Sequence, residues 1–95
     1  MPGAIVRIAG KIVNSATSVG ATAVTIPSTA ATGRIFIMVK NFGASTVYLG
    51  DANVTSVNGL PLEAGDVLSF DLKQEVPLYG RTASGSSDIR SLEGV

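Results

Sequence analysis

Arg34-Ile35-Phe36-Ile37-Met38-Val39-Lys40-Asn41 is followed by Phe42-Gly43-Ala44 and then by Ser45-Thr46-Val47-Tyr48-Leu49-Gly50. Residues 35–39 are apolar without interruption and rich in β-branched side chains. A run of that length between Gly33 and Gly43 reads as a strand, because a helix needs at least twice as many residues. Both of its faces are apolar. A small sandwich covers one face of each strand, so the second face is expected to meet a loop or another subunit.

Working outward, turn signals recur at the spacing of an all-β sandwich or barrel. Asn41-Phe42-Gly43-Ala44 has the composition of a hairpin turn, and Asn58-Gly59 is the strongest two-residue turn signal in the chain. Leu68, Phe70 and Leu72 alternate with Ser69 and Asp71, which places a strand after the Ala64-Gly65-Asp66 turn. Residues 76–81 alternate across Pro77, which suits an edge strand or a strand start. Residues 88–92 form the last strand, with Ile89 on one face and Arg90 and Leu92 on the other, and residues 93–95 read as a tail.

Toward the N-terminus, residues 4–9 alternate as a strand, and Lys11-Ile12-Val13-Asn14 continues it past Gly10. Residues 15–20 are small and polar and read as a loop. Residues 21–26 form a strand that Pro27 ends, and residues 28–33 form a second loop. The sum is an antiparallel β-sandwich or jelly-roll-like barrel of about seven to eight strands. One domain spans residues 1–95, with residues 1–10 as an arm or strand that contacts neighbours.

Composition narrows the function. Charged residues are 15% of the chain and hydrophobic residues 45%. This is too apolar for a disordered chain and thinly charged for the surface of a free monomer. Seven basic and seven acidic residues give a formal net charge of zero, which favours association. The basic residues are scattered, so the footprint of a nucleic-acid binder is missing. No membrane-length apolar run and no secretory signal pattern is present, so the expected place of synthesis is the cytoplasm.

The chain has no His and no Cys. That removes the commonest general base, the usual nucleophile dyads and the usual zinc ligands. No catalytic residue, metal site or cofactor is expected. The carboxylates read as solvated turn and surface groups. Asp51-Ala52-Asn53-Val54-Thr55 starts like a calcium loop, but Ser56 and Leu62 stand where the pattern needs Gly and Glu. Asn53-Val54-Thr55 is a glycosylation sequon without a secretory context. Arg34 and Lys40 flank the central strand as rim charges. Tyr48 and Tyr79 read as packing residues with polar tips, with sugar stacking as the competing role.

Residues 37–43, 46–50, Val54-Thr55, 58–66, 78–85 and 88–93 together resemble small tailed-bacteriophage virion proteins of β-sandwich type. The resemblance covers roughly Arg34 to Glu93. It implies a non-enzymatic virion component, made in the bacterial cytoplasm, with no catalytic residues to carry over. The most specific form is a capsid decoration (cement) protein, a homotrimer bound to the major capsid protein or other virion proteins. Neck, tail or fibre-base proteins are the alternative, and a carbohydrate-binding attachment module is a third reading. The residues expected at assembly contacts are Ile5, Val6, Ile8, Phe36, Met38, Tyr48 and Tyr79.

Overall fold

The computed structural model describes residues 10–95. Eight strands run in order: β1 (Ile12–Val19), β2 (Val24–Thr25), β3 (Phe36–Asn41), β4 (Val47–Gly50), β5 (Leu60–Leu62), β6 (Val67–Asp71), β7 (Tyr79–Thr82) and β8 (Ser87–Gly94). They form two four-stranded antiparallel sheets. The first has the order β1-β8-β3-β6 and the second β2-β7-β4-β5. The chain changes sheet at every connection except that between β4 and β5. Eight strands wound this way are a jelly roll. The strand expected within residues 4–9 lies outside the described residues.

Alternation explains the core. On β3, Ile37 and Val39 are fully buried while Met38 and Lys40 face out. On β4, Val47 and Leu49 point in, and on β8 Ile89 does the same. With Val19, Ile26, Leu62 and Leu78 these residues form one cluster between the sheets, and Leu68 and Phe70 of β6 pack against it. Each fully buried aliphatic side chain contributes roughly 1.5–3 kcal/mol.

Several expectations from the sequence need correction. Residues 15–19 are not a loop but the second half of β1, paired along its full length with β8. The small side chains of residues 15–18 occupy an edge strand whose inward positions before the buried Val19 are only half-buried, so little hydrophobic signal is required of them. The strand at residues 21–26 shrinks to Val24–Thr25. Residues 41–44 do not make a hairpin, because β3 and β4 belong to different sheets. The turn instead carries the chain across the sandwich. Residues 76–78 precede β7, and β7 is an inner strand, flanked by β2 and β4. The proline that does lie in a strand is Pro61 of β5, at the edge of the second sheet, where a missing N–H is tolerated. Glu93 and Gly94 are not a tail, since β8 runs through them between β1 and β3.

Buried polar contacts tie the β3–β8 pair at both ends. Just before β3, Arg34 reaches Glu93 near the end of β8, with Nη1 3.0 Å from Oε2. At the other end, Asn41 meets Ser87, whose Oγ donates to Asn41 Oδ1 at 2.6 Å. The Asn41 amide also donates to the Ser45 and Leu62 carbonyls, and Oδ1 accepts from the Gly43 N–H. Gly43 is needed there, because a Cβ would collide with Ser87 Oγ and with the backbone of β8.

Candidate assembly surface

Two buried charges are the first place to look for chemistry. The Arg34 and Glu93 side chains are 1% and 0% exposed, so no substrate reaches them. Every contact of the guanidinium is internal: Nε donates to the Leu72 carbonyl, and Nη2 donates to the carbonyls of Lys73 and Val76. Glu93 Oε2 also accepts from the Ala31 N–H. The pair therefore pins the segment before β3 and the turn after β6 onto β8. This corrects two readings from the sequence, in which Arg34 is a rim charge and Glu93 a solvated carboxylate. Glu93 Oε1 and Ser91 Oγ are buried without a partner among the described residues. Among the described residues no group of three acidic side chains comes together as a metal site would require.

The outer face of the first sheet is different. Read across the strands, its rows are Ile12–Gly94–Phe36–Asp71, then Asn14–Leu92–Met38–Ser69, then Ala16–Arg90–Lys40–Val67. Ile12, Met38 and Val67 are exposed on it, and Met38 is 36% accessible. Phe42, 61% exposed, continues the face beyond Lys40, with the Arg90 guanidinium 4.7 Å from its ring centroid. Arg90 also bridges Asp88 at 2.9 Å, so its charge is locally balanced.

Free edges adjoin this face. Among the described residues they are β1 and β6 in the first sheet and β2 and β5 in the second. β1 has eight residues, Ile-Val-Asn-Ser-Ala-Thr-Ser-Val, with no charge and no proline. It lacks the devices that usually blunt an edge against strand addition.

The residues expected at contacts do not form one site. Met38 is exposed on the first sheet's outer face, whereas Phe36, by alternation on the same side, is buried at 6%. Tyr48 and Tyr79 lie on the opposite layer, in β4 and β7, and are half-buried. Ile5, Val6 and Ile8 lie outside the described residues. Ile12, Phe42 and Val67, which are not among the residues expected from the sequence, are also exposed on or beside the first sheet's outer face. Their exposure follows from register, and the sequence signals it only where an apolar residue shares a strand face with Lys40 or Asp71.

No protein-family model matches the chain, and no curated protein matches it in sequence. A solved structure does share the fold, described as "Bacillus endospore appendages form a novel family of disulfide-linked pili". The superposition gives a TM-score of 0.51 at 18% identity, over 90% of this chain and 85% of that one. At that identity the likeness establishes the all-β fold and its winding. Nothing in these comparisons points to a bacteriophage.

Proposed function

We propose that this protein is a non-enzymatic structural subunit that acts by assembling with other protein chains. The observation that carries the reading is the first sheet's outer face, where Ile12, Met38, Phe42 and Val67 are exposed on a chain of zero net charge. Burying such a face yields roughly 25 cal/mol per Å² of apolar surface, less the cost of association.

Two settings refine the proposal. The sequence resemblance supports a virion, with a trimeric head decoration protein bound to the major capsid protein as the specific form and a neck, tail or fibre-base protein as the alternative. The fold likeness supports a filament, because the matched structure is a pilus protein. That pilus is described as disulfide-linked, and this chain has no Cys, so a filament of this protein would not be held by disulfides from these residues.

Two substitutions on neighbouring positions of β3 test the core of the proposal. Ile37→Asp puts a charge into the sandwich and is expected to abolish folding. Met38→Asp puts it on the outer face and is expected to leave the thermal transition intact while dissociating the assembly, read by light scattering after gel filtration. A parent protein that stays monomeric at high concentration and forms no particle in electron micrographs overturns the proposal. Electron microscopy of an assembled sample also separates the settings, since a filament and a decorated head differ in shape.

A further inference from the structure

The second sheet carries a different kind of surface. On β7, Gly80 and Thr82 are buried and Tyr79 and Arg81 alternate with them, facing out. On β4, Val47 and Leu49 are buried and Tyr48 faces out. Register sets Tyr48 directly opposite Arg81, while Tyr79 lies opposite Gly50. The two tyrosines, 31 positions apart in sequence, are thus diagonal neighbours on one face, about 7–8 Å apart, with Arg81 beside both.

This cluster is flanked on one side by the loop after β4 and open at one end. The loop after β4 folds back so that Val54 is buried against Gly50 and Gly59, and Gly59 lies so close to Tyr48 that a Cβ there would come within 2.7 Å of the tyrosine Cβ. At the open end a shallow cavity of about 250 Å³ is lined by Ser45, Thr46, Tyr48, Ala83 and Ser84. Arg81 Nε donates to the Thr82 carbonyl at 3.2 Å, and among the described residues Arg81 makes no ion pair.

We propose that Tyr48, Tyr79 and Arg81 form a binding site for an acidic polysaccharide. The apolar C–H face of a sugar ring matches a tyrosine ring, whose body is apolar and whose tip is polar. The Arg81 guanidinium, which makes no ion pair among the described residues, matches a sugar carboxylate through paired charge-assisted hydrogen bonds. The hydroxyls of Ser45, Thr46 and Ser84 match the sugar's own hydroxyls. A polyphosphate is disfavoured, because the seven cations are scattered and do not form a track. This site is on the sheet opposite to the proposed assembly face, so either proposal can fail without the other.

The test is titration of the full chain with polygalacturonate, with dextran as the neutral control and oligothymidine as the stacking, anionic control. Binding of polygalacturonate that weakens as salt rises is expected, with dextran much weaker. Arg81→Ala is expected to cost about tenfold or more in affinity, and Arg81→Lys less, since it keeps the charge and loses the fork. Tyr79→Ala is expected to weaken binding at an unchanged melting temperature. Failure of polygalacturonate to bind, equal affinity for dextran, tighter binding of oligothymidine, or an unaltered affinity in Arg81→Ala each overturns the proposal.

Discussion

The two ends of the β3–β8 pair solve one problem in opposite ways. At the Arg34 end, ionised groups are taken fully out of water and leave Glu93 Oε1 without a partner. At the Asn41 end, a neutral amide makes four hydrogen bonds and leaves nothing unmet. Desolvating two ions consumes most of what their attraction returns, whereas a satisfied neutral amide carries a far smaller desolvation cost. The charged end adds little net stability yet is intolerant of partial loss. The neutral end is fastened by several modest contacts.

Three experiments sharpen that contrast. Breaking the ion pair with Glu93→Ala or Arg34→Ala strands a buried charge or its donors. The expected loss is about 3–5 kcal/mol, a large part of the stability of a small domain. Urea unfolding measures it, and a loss under about 1 kcal/mol shows that water reaches the pair. Asn41→Ala orphans the Ser45 and Leu62 carbonyls and the Ser87 hydroxyl, and about 1–3 kcal/mol is expected on the same assay. The double replacement Arg34→Met with Glu93→Leu removes both charges together. Its midpoint is expected to return close to the parent or above it, because the desolvation cost disappears with the attraction. A double variant as unstable as either single one would show that the hydrogen bonds from Arg34 to the turn after β6 matter more than the charges.

Much of this architecture is legible in the residues. The alternation of Leu68 and Phe70 with Ser69 marks β6, and the apolar run at 35–39 marks β3, because burial on a pleated sheet leaves a period of two. β1 leaves almost no such trace. Ser15, Ala16, Thr17 and Ser18 occupy a strand that is unpaired on one edge among the described residues and only half-covered on its inward face, so neither packing nor solvation demands a pattern. The turn at Asn41 misleads for another reason. Its composition suits a tight turn, and whether the next strand pairs beside β3 or crosses to the other sheet depends on distant partners. The Arg34–Glu93 contact, spanning 59 positions, is invisible before the fold is known. A trace exists in β8, where extending the alternation of Ile89 and Arg90 by two further pairs places Glu93 on the buried face.

The surfaces are less legible than the core. Hydrophobicity nominates Phe36 and Met38 together, and only register separates a buried residue from an exposed one. Tyr48 and Tyr79 are recognisable as amphipathic rings, but their proximity to Arg81 depends on the antiparallel pairing of β4 with β7.

β8 has a consequence for how the chain is made. It is an inner strand of the first sheet, holding β1 on one side and β3 on the other, yet the other seven described strands precede it in sequence. As the polypeptide leaves the ribosome, β1 emerges well before β8, and their pairing, which runs from Val19↔Ser87 to Ile12↔Gly94, is complete only once residue 94 has been synthesised. For that whole interval an uncharged eight-residue strand is exposed to every other nascent chain nearby. The first sheet therefore closes by joining β1, the earliest made of its four strands, to β8, the latest.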